Sequence, residues 1–254
     1  MKREPIVYFV GAGPGDPELI TVKGRRLLDE AGTVIYAGSL VNPALLAGLT
    51  AEVFDSASMT LDEIIDVMNR AVQKGHSVVR LHTGDTSFYS AISEQIERLK
   101  ALRIAYGVVP GVSSGVAGAA ALGQELTIPE LSQTVIFTRI EGRTPVPAGE
   151  KLSALAKHGA TMVIFLSVGM IEKVRDELLQ GYDAETPFVV IEKASWPGQR
   201  LVRGVLKDIV ETVKDSGIKK TALIYVGESL RASEVSLGKE SKLYHKDFKH
   251  GHRK

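Results

Sequence analysis

The chain has 254 residues, with 31 lysines and arginines against 30 aspartates and glutamates, and no cysteine. That length builds one large or two modest domains, and the balanced charge excludes a broad basic field of the kind that carries nucleic-acid binding. Zero cysteine removes disulfides, iron–sulfur clusters, thiolate zinc sites and cysteine nucleophiles, and suits a cytoplasmic address.

The opening MKREPIVYFV has only about five consecutive apolar residues, fewer than the roughly 7–15 of a signal peptide, and no stretch approaches a membrane span. IVYFV (6–10) is the first expected strand, followed by GAGPGD, Gly11 to Asp16. A dinucleotide fingerprint needs a third glycine at the sixth position, where the helix packs on its strand; Asp16 stands there instead. Asp16 before Pro17 reads as an N-cap and first helical residue. The second expected strand, TVIYA (33–37), runs into Gly38 and Ser39, with no acid to hold ribose hydroxyls. TLDEIIDVMNRAVQKG reads as a helix: Thr60 and Glu63 form a capping box, Leu61, Ile64, Ile65, Met68 and Val72 share one face, and Gly75 stops it.

SVVRLH (77–82) leads into HTGDTSFY, and RIAYGVV (103–109) into VVPGVSS. Strands alternating with helices predict a parallel α/β sheet, whose ligands lie outside the carboxyl ends of the strands. After the small-residue run SGVAGAAALG the alternation restarts with TVIFT (134–138), TMVIFL (161–166), PFVVIEKA (187–194) and TALIYVG (221–227). SWPGQR joins two strand-like runs closely enough for a hairpin, so a second, mixed sheet is expected. The resulting expectation is an α/β chain with domains at 1–117 and 118–238 and a basic tail at 239–254.

GAGPGDPELITVKG, HTGDTSFY, VVPGVSS, ELTIPELSQTVIFTRIEGRTPVP, EKASWPGQR and LYHKDFKHG together resemble the tetrapyrrole (class III) S-adenosylmethionine-dependent methyltransferases, along essentially the whole chain. The resemblance implies two α/β domains, S-adenosylmethionine in the cleft between them, and a homodimer. It implies methyl transfer to C11 of precorrin-4 or cobalt-precorrin-4 in cobalamin biosynthesis, the alternative being another carbon of a precorrin or of uroporphyrinogen III. Any cobalt would ride in the substrate, so no protein metal site is expected.

Carried over by position, cofactor contacts fall at Pro14, Thr83, Gly84, Asp85, Phe88, Ser113, Ser114, Leu166, Ser167 and Gly227. Gly111 joins them, since its turn lets backbone approach a ligand. Ser39, His82, Arg139 and Arg143 are candidates for the substrate, the arginines as forks for the carboxylates of a tetrapyrrole. No residue is assigned as a catalytic base. The chain departs from its relatives at Thr86, where proline is common, and at Gly38, where an aspartate is common. Several residues keep a plainer reading: Asp85 as cap of a helix beginning near Ser87, His82 as a structural histidine, Trp196 as hairpin packing, and Arg139, Glu141 and Arg143 as a solvated loop. His245, His250 and His252 form a loose tract that matches no firm metal-ligand spacing, and the resemblance of the tail implies a packing role.

Overall fold

The computed structural model describes residues 4–233 and 248–249. These fall into two compact units: one runs to Ala117 and also takes in Lys193–Gly198, and the other begins at Gly118 and omits that segment. The histidines at 245, 250 and 252, and all of the tail but 248–249, lie outside the described residues. No helix among the described residues is long and apolar enough to cross a membrane.

The first unit runs β1 (Val7–Gly11), α1 (Val22–Glu30), β2 (Thr33–Tyr36), β3 (Glu52–Asp55), α2 (Leu61–Gln73), β4 (Val78–His82), α3 (Ile92–Ala101) and β5 (Tyr106–Val109). α4 (Ser114–Ala121) spans the boundary at Ala117. The five strands form one parallel sheet in the order β3-β2-β4-β1-β5. Helices on both faces bury the central strand β4 completely, which is why it reads as a nearly continuous apolar run. Phe9, Ile35 and Val78 pack on Ile64, Ile65, Met68 and Leu99 of α2 and α3. Val10, Val34, Val79 and Leu81 pack with Leu27 and Leu28 of α1 on the other side. α2 carries the expected capping box at Thr60 and Glu63, and Gly75 ends it at φ +81°. Asp16 caps a short 3-10 turn, Pro17–Leu19, and α1 has its own cap, Thr21.

In the second unit the order is β6 (Val135–Arg139), α5 (Leu152–Ala156), β7 (Thr161–Phe165), α6 (Ile171–Leu178), β8 (Pro187–Glu192), β9 (Arg200–Val205), α7 (Ile209–Ser216) and β10 (Ala222–Val226). Its sheet, β6-β7-β10-β8-β9, is mixed: β6 and β7 are parallel and every other pair is antiparallel. Met162, Ile164, Phe188, Val190 and Ile224 form a core with Leu152, Val174, Leu178, Ile209 and Val213 of the three helices. The small residues of α4 have a packing reason. A methyl group at Gly118 would stand 2.0 Å from the buried hydroxyl of Tyr225.

Two local expectations change. EVFD, not among the expected strands, is the edge strand β3; its exposure leaves no apolar alternation to read. No helix begins near Ser87. α3 starts at Ile92, after a turn in which Tyr89 and Ala91 take left-handed φ values of 55° and 49°.

Candidate functional site

Three strand ends of the first unit meet in glycine. A methyl group on Gly111 would stand 2.2 Å from the Gly84 carbonyl oxygen and 2.8 Å from Gly11 Cα, and one on Gly11 would stand 2.6 Å from Gly111 Cα. The first glycine of GAGPGD therefore closes a backbone junction between β1, β4 and β5. Gly111 has no left-handed angle to require glycine; contact alone demands it. Gly13 (φ +80°) and Gly84 (φ +63°) exchange backbone hydrogen bonds of 2.8 and 3.2 Å, joining the first loop to HTGD.

The rest of the first loop is held by side chains. Trp196 Nε1 donates to the Pro14 carbonyl (2.9 Å), Asn42 Nδ2 to the Gly15 carbonyl (2.7 Å), and Asp16 N donates to Ser195 Oγ (3.0 Å). Trp196 thus packs on the first loop.

Asp85 ties two loops together. Its Oδ2 accepts from Gly111 N at 2.7 Å and its Oδ1 from Ser87 N at 2.8 Å. Burial pushes the carboxyl up, but the Gly111 amide and the Ser87 hydroxyl and amide outweigh it and hold it below the ordinary aspartate value. Thr86 Oγ1 is buried without a partner, so proline there gives up no side-chain bond. Thr83 is half-buried and Phe88 is 37% exposed. Buried Ser113 accepts from Gly115 N (3.2 Å) at the start of α4, and Ser114 opens that helix.

His82 faces the α2–α3 side of the sheet with Arg80. Its ring lies 6.1 Å from that of Phe9, and its Nε2 is buried without a partner. Burial, then the neighbouring Arg80 charge, push its pKa down to about 3. Arg80 donates to Gln95 Oε1 (3.3 Å) and to the Ile35 carbonyl (3.4 Å). Ser39 lies in the 3-10 turn Gly38–Leu40. At Gly38, a Cβ atom would stand 3.4 Å from Asp55 Oδ1. Burial, then the charge of Asp55 and a hydrogen bond to it, raise the Tyr36 hydroxyl pKa. Asp55, at the end of β3, thus sets a carboxylate beside Gly38.

In the second unit, Arg139 is committed to its own loop. Nη1 donates to the carbonyls of Ile140 (3.3 Å) and Thr144 (3.1 Å), and Nη2 to that of Pro145 (2.9 Å). Arg143, on the loop so stapled, is exposed. Ser167 is buried: its Oγ donates to the Phe165 carbonyl (2.5 Å) and accepts from Ile140 N (3.0 Å). Leu166 takes φ +54° and is 69% exposed, an apolar surface made at a cost in backbone strain. Gly227 has φ +138°, and a methyl group there would stand 3.1 Å from Thr161 Cα.

A family model described as Tetrapyrrole (Corrin/Porphyrin) Methylases matches residues 6–210. The chain belongs to the tetrapyrrole methylases. It is 57% identical to a cobalt-precorrin-4 C(11)-methyltransferase of Methanocaldococcus jannaschii, over 100% of this chain and 98% of that one. The X-ray structure of a cobalt precorrin-4 methyltransferase, a cobalamin biosynthetic enzyme, superposes with a TM-score of 0.86 at 48% identity, covering 88% of this chain and 95% of the other. A uroporphyrin-III C-methyl transferase from Thermus thermophilus, complexed with S-adenosyl homocysteine, gives 0.76 at 32% identity, covering 89% and 94%.

The residues of this tetrapyrrole methylase fit an S-adenosyl ligand. Asp85 keeps its charge, and each of its oxygens retains a lone pair for a ligand hydroxyl or ammonium. Sequence reasoning missed Asn42, Ser195, Tyr36 and Asp55, whose contacts come from segments distant in the chain. Among the described residues no cluster of histidine, aspartate or glutamate could hold a metal ion.

Proposed function

We propose that this chain transfers the methyl group of S-adenosylmethionine to C11 of precorrin-4 or cobalt-precorrin-4, giving the corresponding precorrin-5. The observation that carries the geometry is the glycine junction at Gly11, Gly84 and Gly111. It sets ligand-facing loops on three adjacent strand ends, one of them held by an ionised Asp85. The choice of C11 is supported by the full-length identity to a C(11)-methyltransferase. A nicotinamide dehydrogenase is disfavoured, since Asp16 is spent capping a turn and β2 ends without a ribose acid.

On the first unit the cofactor contacts are Pro14, Thr83, Gly84, Asp85, Phe88, Gly111, Ser113 and Ser114; on the second they are Leu166, Ser167 and Gly227. The Ser167 hydroxyl is already committed, so Ser167 contributes backbone. We assign Ser39 and Arg143 to substrate binding, with Arg139 holding the loop that carries Arg143. His82 belongs with the buried framework. S-adenosylmethionine, when bound, supplies a methyl group already activated on a sulfonium sulfur. The chain's part is to hold the acceptor carbon in line and exclude water, and orientation of this kind accounts for much of the acceleration in such transfers. His82, buried and neutral, is unsuited to receive the proton that the macrocycle gives up. We place the protein in the cytoplasm as a homodimer, with domains at 1–117 and 118–238 and a tail at 239–254; sedimentation tests the dimer.

S-adenosylhomocysteine should raise the melting temperature while NAD and NADP do not. Transfer from a 13C-methyl donor should place the label on C11 in the NMR spectrum of the product. Label on another carbon would move the chain to a different branch of the family, and stabilisation by NAD alone would remove the methyltransferase reading.

A further inference from the structure

We infer that Trp196, with Ser195 and Asn42, positions the loop Pro14–Asp16 for the cofactor, so that Trp196 sets cofactor affinity without touching the reacting atoms. The inference rests on the cofactor site proposed above. Three consecutive residues of the loop each have one backbone group taken by a side chain from elsewhere: Pro14 O by Trp196 Nε1, Gly15 O by Asn42 Nδ2, and Asp16 N by Ser195 Oγ. Asn42 is itself pinned, because its Oδ1 accepts from Ala44 N at 3.0 Å.

The indole also fills space that only glycine leaves. A Cβ atom at Gly15 would stand 2.1 Å from the Trp196 ring. The segment that brings the indole there is strained: Lys193 and Ser195, both non-glycine, take φ values of 52° and 67°. Such angles persist only where the surroundings over-determine them, and they gather at functional sites. A loop whose carbonyls and amide are already satisfied does not have to be ordered when a ligand arrives, which raises affinity without adding a contact.

Trp196 is the single tryptophan of the chain, so its emission reports on this loop alone. Titrating the wild-type chain with S-adenosylhomocysteine should change that emission with the same midpoint as calorimetry gives. Trp196→Phe keeps an aromatic ring and loses the N–H. Removing one such bond should weaken S-adenosylhomocysteine binding about two- to tenfold. The unliganded melting temperature and the KM for the tetrapyrrole should stay near wild type.

Gly15→Ala should displace the indole and reproduce the loss, and in a Trp196→Ala background it should add nothing further. If Trp196→Phe does not fold, Ser195→Ala and Asn42→Ala carry the same test. Unchanged affinity in the variants overturns the inference. So does a loss of affinity matched by equal changes in folding stability and tetrapyrrole KM, which would make the indole general scaffolding. Failure of the wild-type chain to bind S-adenosylhomocysteine would remove the underlying cofactor reading, and needs no variant to detect.

Discussion

His82 and Arg80 show what a single residue's environment decides. A histidine at the end of a strand below HTGD invites a substrate role, yet its ring sits among Phe9 and Arg80 on the helix-covered face, 4% exposed. With a folded pKa near 3 against an ordinary 6.5, the folded chain binds fewer protons than the unfolded one between those values, so stability falls as pH falls through that window. Denaturation should show a loss of about 2 kcal/mol between pH 7 and pH 5 from this group. His82→Phe should flatten that dependence; an unchanged slope would mean that the ring meets water. The arginines divide in the same way. Arg143→Ala should weaken tetrapyrrole binding about tenfold, the lower end for a bond to a charged group at an exposed site, and leave S-adenosylhomocysteine affinity alone. Arg139→Ala should give a smaller loss and a protease-sensitive loop at 140–147, because its guanidinium is spent on that loop's carbonyls. Residue types marked both arginines in the sequence. Which of them is free to reach a ligand depends on where the loop turns back, and no spacing encodes that.

At the level of elements, period and capping were largely legible: the α2 capping box, the Gly75 stop and nine of the ten strands among the described residues lie where alternation and turn residues put them. The exception, β3, is an exposed edge whose pairing depends on β2 and not on its own pattern. The loops were half legible. Glycine content marked GAGPGD, HTGD and VPGVS, but their purpose divides between positive φ at Gly13 and Gly84 and bare contact at Gly11 and Gly111. Gly111→Ala is therefore a packing lesion. Its methyl group meets backbone that no side-chain rotation can relieve, so a cost of about 1–3 kcal/mol is expected in denaturant unfolding, together with weaker S-adenosylhomocysteine binding. An alanine variant as stable as wild type would show that the junction yields.

For the molecule as a whole, a formal net charge of +1 leaves no long-range field to gather a polycarboxylate substrate, so recognition falls to a few placed cations. Tetrapyrrole affinity should accordingly decline only gently with added salt, and a steep decline would indicate a larger basic surface. The order of the first sheet carries a consequence for synthesis. β1, which leaves the ribosome before the other strands of its sheet, pairs with β4 and β5: Val7 meets Val78 and Tyr106. Until those residues emerge, Val7, Phe9 and Val10 belong to a strand with two open edges, while β2 and β3 can already pair with each other. A nascent chain stalled before residue 78 should thus bind chaperones or aggregate, and one extended past residue 117 should resist protease across β1. The same loop-bearing strand that holds the first glycine of the site must wait for its neighbours, so the tempo of translation through residues 11 to 111 governs how safely the chain is made.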